Sequence, residues 1–334
     1  MKFIIVGLGF WGQTWTKVLE QHAQAIVVAV VDPSEKAHDW AQCHLGVACY
    51  PVLSDALSGV EADAVLIANP PSRHKEAALE ALSRGKHVLI EKPLATSMED
   101  AVEIADGAER SGAKLMVAQG YRFTDGAGRV RELVGAGEIG TLRSVRVTFR
   151  KNLPDHLPPE HSIYSWRHSL VIDMGVHHFD LMRFITRREF IRAFATEHET
   201  PDNAFAYPSN ALCLLRLEGE LPAVWDADWS SIQPETAWEG DWELVGATGR
   251  LFWRGAPGAS AGTAIWVQRP GKQPEPVPFR ESVTDRRDPV LAHFIEAVSR
   301  GLQPEPGVRD NLKTLRAALG CVQSMLTGAE VRLD

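Results

Sequence analysis

Lys92 stands in Glu91-Lys92-Pro93, directly after the apolar run Val88-Leu89-Ile90. That places an ammonium group at the carboxyl end of what reads as a parallel strand, the edge at which doubly wound sheets bind ligands. Farther on, Asp173-Met174-Gly175-Val176-His177-His178-Phe179-Asp180 supplies a histidine flanked by carboxylates. Taking hydride from an alcohol carbon requires a base for the hydroxyl proton and a group that stabilises charge on the oxygen. A histidine titrating near neutrality suits the first task and a lysine point charge the second. If the segment from Asp173 opens a helix, Asp173, His177 and Asp180 lie at i, i+4 and i+7 and share a face, while His178 points elsewhere. Asp173 can then fix the His177 tautomer, stabilise its charged form or meet the substrate hydroxyl itself. An N-cap role for Asp173 is compatible with all three.

The hydride needs an acceptor, and the N-terminus supplies a place for one. Gly7-Leu8-Gly9-Phe10-Trp11-Gly12 follows the apolar run Phe3 to Val6 and opens a helical pattern, the context that gives a G-x-G-x-x-G match its meaning. The first glycine permits a tight turn, the second lets backbone approach a diphosphate, and the third allows close helix packing. Asp32 ends the second apolar run about 20 residues beyond Gly12, where a carboxylate bonds ribose hydroxyls and repels a 2′-phosphate. NAD is therefore expected as cofactor in preference to NADP. The loop Ala68-Asn69-Pro70-Pro71-Ser72 should border the nicotinamide side. His74 is read either as a cofactor contact or as a solvated helix residue. Phe10, Trp11, Asn69, Pro70, Glu91 and Lys92 complete the expected cofactor set.

A metal is not expected, because adjacent histidines on a helix diverge by roughly 100° and do not converge on one ion. Trp166-Arg167 and the polar loop Lys151 to His161 are candidates to line a substrate pocket, since indoles stack on sugar faces and guanidinium forks bond vicinal hydroxyls or carboxylates. Trp225 and Trp229 read as sheet-face or subunit-interface residues.

The elements that must position these groups change character along the chain. Apolar runs at Phe3 to Val6, Ile26 to Val31, Ala64 to Ile67, His87 to Ile90 and Leu115 to Ala118 alternate with amphipathic stretches, as in βαβ units. Ser72 to Leu82 reads as a helix closed by Gly85. After residue 121 come longer alternating strands. Thr141 to Lys151 sets Val145, Val147 and Phe149 against Ser144, Arg146 and Thr148, and Leu221 to Trp229 sets Ala223, Trp225, Ala227 and Trp229 against Asp226 and Asp228. Segments 255–262 and 269–278 read as loops, and Pro289 to Ser299 and Asn311 to Leu326 as closing helices. The expected fold is α/β: an N-terminal Rossmann domain, residues 1–121, and a C-terminal α+β domain, residues 122–334, with an open, mostly antiparallel sheet and a terminal helix able to pack back toward the first.

With 334 residues the chain has room for two cores. A net charge of −8 and the lack of any block of Lys or Arg argue against nucleic acid as a partner. The four cysteines have neither metal-site nor disulfide-framework spacing. No apolar stretch is long enough to span a bilayer, and no signal-peptide pattern follows the first strand, so a cytoplasmic protein is expected.

The chain resembles the glucose-fructose oxidoreductase, inositol dehydrogenase and rhizopine-catabolism (Gfo/Idh/MocA) family over nearly its whole length. The resemblance rests on Gly7-x-Gly9-x-x-Gly12, Asp32, Pro70 with His74, Gly85-Lys86-His87-Val88-Leu89, Glu91-Lys92-Pro93, Tyr121-Arg122-Phe123, Trp166-Arg167 and Asp173-x-Gly175-x-His177-x-x-Asp180. It implies that Lys92, Asp173 and His177 are catalytic, and that Tyr121, Arg122, Trp166 and Arg167 join them around the substrate. It further implies a sugar, cyclitol or derivative as substrate, and a homo-oligomer, dimer or tetramer, formed through the C-terminal sheet. Relatives that act as redox-neutral glycosidases or as non-catalytic sensors share the fold. One departure stands out: where the family has a glycine-rich stretch before the aspartate motif, this chain has His168-Ser169-Leu170-Val171-Ile172. A less close backbone approach to substrate is expected there.

Overall fold

Short apolar runs bounded by turn residues become the strands of a parallel sheet. They are β1 (Lys2–Val6), β2 (Ile26–Val31), β3 (Ala48–Tyr50), β4 (Ala64–Ile67), β5 (His87–Ile90) and β6 (Leu115–Val117), in the order β3-β2-β1-β4-β5-β6. Helices α1 (Phe10–Gln21), α2 (Glu35–His44), α3 (Leu53–Gly59), α4 (His74–Ser83) and α5 (Met98–Ser111) alternate with them. The chain order reverses between β1 and β4, which pair in parallel, and that reversal leaves a crevice outside their carboxyl ends. Phe3, Ile4, Ile5, Val65, Ile67 and Leu89 have no exposed surface, as strands covered on both faces require. β3 is an edge strand too short for its periodicity to be read.

The computed structural model describes residues 1–199, 204–232, 234–255 and 263–333. They form two units, Met1–Gly120 with Asp285–Leu312, and Tyr121–Thr284 with Lys313–Asp334.

The second unit is built on β7 (Leu142–Arg150), β8 (Phe190–Thr196), β9 (Asn210–Leu217), β10 (Leu221–Asp228), β11 (Asp241–Gly246), β12 (Arg250–Gly255), β13 (Thr263–Gln268), β14 (Glu275–Val277) and β15 (Val331–Arg332). Their order is β14-β13-β12-β11-β7-β10-β9-β8-β15, antiparallel except where β10 runs parallel to β7. One face carries α6 (Asp125–Gly135) and α7 (Val176–Thr186). The alternation read from β7 and β10 holds, with Val145, Val147, Phe149, Ala223, Trp225 and Ala227 buried against these helices. Trp225, Trp229, Trp242 and Trp253 are core residues with at most 1% exposure, which corrects the subunit-interface reading of the first two. Segment 269–278 is not all loop, because β14 pairs with β13 and sets Pro276 opposite Trp266 at the sheet edge, where a proline without an N–H is tolerated. Most of the other expected loop, residues 256–262, lies outside the described residues.

Helices α8 (Arg287–Ser299) and α9 (Val308–Thr327) close the chain. The expected second domain of residues 122–334 is corrected for Asp285–Leu312, which belongs to the first unit. Phe294 on α8 explains the return: it is fully buried, with its ring 6.2 Å from that of Phe3 on β1.

Inside the second unit, Asp180 on α7 is 1% exposed and takes the Arg122 guanidinium on both oxygens, with Nη2 at 2.7 Å. Thr314 also donates to it, and Thr314 in turn receives Arg183 Nη1 at 2.9 Å. Removing one charge of a buried pair strands the other. Asp180→Asn is therefore expected to destabilise the protein by about 3 kcal/mol, read as a lower urea midpoint.

Candidate active site

The glycine loop is shaped as its sequence requires. Gly7 has φ +88, and a Cβ there would lie 2.6 Å from the Asn69 backbone; a Cβ on Gly12 would lie 1.9 Å from the Gly7 carbonyl oxygen. A Cβ on Gly9 would meet nothing within 4 Å, so that side of its backbone faces open space. Gly9 is the N-cap of α1 and makes no side-chain cap bond, and the helix has no acidic residue in its first turn. Those amides are ready for an anion. Asp32 is preset: the Leu8 N–H donates to one carboxylate oxygen at 2.8 Å and the Ser34 N–H to the other at 2.9 Å.

Loops leaving β4 and β5 carry the next groups. Asn69 Oδ1 is buried and has no hydrogen-bond partner, an acceptor left for a ligand donor. Together with the open Gly9 and the fixed Asp32 carboxylate, it makes these residues fit a dinucleotide. Lys92, half-buried, follows β5 directly. Glu91 faces inward, accepting Trp15 Nε1–H at 2.7 Å, and burial pushes its carboxyl up, opposed by the charge of Lys92. It thus braces the strand end against α1.

His74 corrects both readings made of it, since it is neither solvated nor open to cofactor. It is fully buried, with Nδ1 at 2.9 Å from the Pro93 carbonyl oxygen and Nε2 at 3.0 Å from that of Asn69. The ring thus bridges the Asn69 loop to the residue after Lys92. Burial lowers its pKa to about 4, outweighing the carbonyls that favour the charged ring.

In the second unit, Asp173 lies in a wide π-helical turn, Leu170–Gly175, that runs into α7, so the simple i, i+4 face expected for Asp173 and His177 is modified by the wider turn. Such turns are frequent at functional sites. His177 packs its ring 4.3 Å from that of Tyr121. His178 does point elsewhere: its Nδ1 accepts Trp225 Nε1–H at 2.9 Å, and its Nε2 faces the Trp238 carbonyl at 3.1 Å. Those two bonds define a neutral ring protonated on Nε2 and leave it a core role.

Arg122, expected near substrate, directs its guanidinium to Asp180. Trp166 is half-buried against the core and Arg167 is exposed, with its guanidinium 5.7 Å from the Tyr207 ring. In the polar loop, Lys151 Nζ at 2.7 Å and His156 Nε2 at 2.8 Å converge on Glu235. Although burial pushes the Glu235 carboxyl up, these partners hold it at about 2. Among the described residues no cluster of three or more His, Cys, Asp and Glu suited to a metal is found. Glu235, Trp15 and Glu197, which holds the His168 ring at 3.0 Å, escaped the sequence reading, because no motif marks a partner supplied from a distant element.

His74 carries a measurable signature. Its pKa falls from 6.5 to about 4 on folding, so between these values only the unfolded chain binds the proton. The associated stability is present above pH 6.5 and is lost as pH falls toward 4. A difference on the order of 3 kcal/mol is expected between wild type and His74→Asn in the change of unfolding free energy from pH 7 to pH 4. Parallel profiles for the two proteins would contradict a buried neutral ring.

Residues 1–119 match the model of an oxidoreductase family with an NAD-binding Rossmann fold, and residues 128–252 match the GFO/IDH/MocA C-terminal domain. The rhizopine catabolism protein MocA of Rhizobium meliloti is 32% identical over 185 residues, covering 55% of this chain and 57% of its own, so the match spans little more than half of that relative. The myo-inositol 2-dehydrogenase of Thermotoga maritima is 24% identical over 100% of this chain and 99% of its own. An oxidoreductase from Agrobacterium radiobacter, solved with NAD+, L-tartaric acid and magnesium, superposes with a TM-score of 0.86 at 20% identity, covering 100% of this chain and 98% of the other, a likeness of fold. With the Rossmann sheet, the open glycine loop and both halves of the family pattern in one chain, the protein belongs to the Gfo/Idh/MocA family of NAD-binding oxidoreductases.

Proposed function

We propose that the protein is an NAD-dependent dehydrogenase acting on a secondary alcohol of a sugar, cyclitol or sugar derivative. The observation that carries this reading is Lys92 at the carboxyl end of β5, on a loop tied through His74 to the one that bears the unpartnered Asn69 oxygen. NAD, when bound, accepts the hydride from the alcohol carbon. Gly9 and the first turn of α1 hold its diphosphate, Asp32 its adenosine ribose and Asn69 its nicotinamide half. His177 takes the hydroxyl proton on a ring nitrogen, and Asp173 supports the charged ring. Lys92 holds the developing charge on oxygen. The myo-inositol 2-dehydrogenase relative supports a cyclitol or related polyol as substrate class.

We extend the proposal to a homo-oligomer through the outer face of the second sheet, where Phe194, Leu212 and Leu214 on neighbouring strands are 38%, 41% and 47% exposed. No helix among the described residues is long and apolar enough to cross a membrane.

The test is nicotinamide absorbance with NAD+ and a panel of free sugars, sugar acids and inositols. Reduction with one class is expected. Silence with every compound would reject the free-alcohol reading, and release of a chromogenic aglycone without net NADH would replace it with redox-neutral glycoside cleavage. With a substrate in hand, Lys92→Met and His177→Asn are expected to lower kcat by roughly 10²–10⁴-fold while NAD+ binding stays intact. Near-normal turnover in both would refute these roles. Asp32→Ser is expected to narrow the preference for NAD+ over NADP+, and a wild-type enzyme with the lower KM for NADP+ would overturn the role given to Asp32.

A further inference from the structure

Arg287 opens α8 within the first unit and has no place in the cofactor set drawn from the motifs. Its guanidinium is fixed along one edge by Asp285, which accepts Nε–H at 2.8 Å and Nη2–H at 2.7 Å, and the Arg287 N–H adds a third bond to the same carboxylate. The Cζ atom lies 5.7 Å from the centre of the Trp11 ring. Trp11 belongs to the first turn of α1, inside the glycine loop, and is 46% exposed, with Phe10 edge-on at 5.1 Å.

The remaining nitrogen, Nη1, is buried and has no hydrogen-bond partner among the described residues. A guanidinium donor in that condition is unfavourable unless a ligand or water completes it. Glu91 feels the Arg287 charge but makes its hydrogen bonds elsewhere, to Trp15 Nε1–H and the Lys92 N–H. The first turn of α1, to which Trp11 belongs, offers amides with neither a capping side chain nor an acidic neighbour. An unpaired guanidinium edge and a bare helix N-terminus therefore flank the same residue, Trp11. Both select a dianionic, oxygen-rich group, which a guanidinium meets as a planar fork.

We propose that Arg287 is a dinucleotide-binding residue whose Nη1 edge takes the cofactor diphosphate, with Asp285 and Trp11 presetting its orientation. Asp285 fixes the fork before binding, so little side-chain entropy remains to be lost. The inference concerns the cofactor and holds whatever alcohol the enzyme oxidises.

Calorimetric titration with NAD+, ADP-ribose and adenosine tests it without any turnover. In the wild type, NAD+ and ADP-ribose are expected to bind, with affinities that fall as salt rises. Arg287→Met is expected to weaken both by roughly 10–100-fold, to flatten their salt dependence, and to leave adenosine binding unchanged. Arg287→Lys, which keeps charge and stem but loses the fork, is expected to fall between, and it decides the matter should the methionine variant fail to fold. ADP-ribose affinity changed by less than about twofold in the variants would overturn the proposal, being below the effect of one charge-assisted bond. A loss confined to NAD+ would also overturn it, by placing the guanidinium against the nicotinamide half. Failure of the wild type to bind either dinucleotide would instead refute the cofactor reading itself.

Discussion

His74 joins two loops that a parallel sheet by itself leaves independent. β4 and β5 pair side by side, but each chain leaves the sheet at its carboxyl end and needs its own path back through a helix. The buried imidazole reaches the carbonyl of Asn69 on one path and of Pro93 on the other. A neutral ring carries one N–H, so it donates to one of these carbonyls and packs its lone pair toward the other. The arrangement favours position over bond count, and burial keeps the ring uncharged even so. The consequence reaches Lys92, whose backbone lies between Glu91, bonded to Trp15, and Pro93, whose carbonyl packs against His74. An ammonium on a flexible stem becomes a directed charge only when its backbone is held this way.

The second unit uses the same division of labour. His178 and Asp180 are buried and fully committed, to Trp225 and Trp238 in one case and to Arg122 and Thr314 in the other. They anchor α7 to the sheet and to α9. His177 precedes both in the chain and packs its ring against Tyr121. The wide turn at Leu170–Gly175 sets Asp173 apart from regular α-helical register. Within one motif, His178 and Asp180 thus hold the helix in place.

Most of the first unit was legible because its strands are continuous apolar runs ended by glycine, proline or asparagine: three of the expected ranges, Ile26–Val31, Ala64–Ile67 and His87–Ile90, coincide with β2, β4 and β5. β3 was not, since its half-exposed alanine, cysteine and tyrosine carry no burial pattern. In the second unit the alternation of β7 and β10 revealed which face is buried, but not that these two strands run parallel, because pairing depends on distant chain. At the site, residue types were readable and their partners were not. The histidines show the difference: spacing separated His177 from His178, whereas nothing local told that His74 would be enclosed by carbonyls from both sides. Arg287 reads as a polar lead-in to a helix until the fold brings it over Trp11.

His168 shows how this chain differs from the pattern it otherwise follows. Its backbone sits at φ +55, a left-handed conformation natural to glycine and costing a histidine about 1–2 kcal/mol. Glu197 holds the ring at Nδ1, 3.0 Å away, and the His168 carbonyl accepts the N–H groups of Val171 and Ile172 at 3.1 Å, opening the turn that carries Asp173. A glycine could adopt that backbone without strain but would bring no side chain to anchor it. Here the imidazole and Glu197 supply the anchor and offset the strain. The turn therefore has the left-handed geometry that a glycine would give, with a buried imidazole added beside it. The surroundings of the turn that carries Asp173 are therefore set by His168 and Glu197 as much as by the backbone itself.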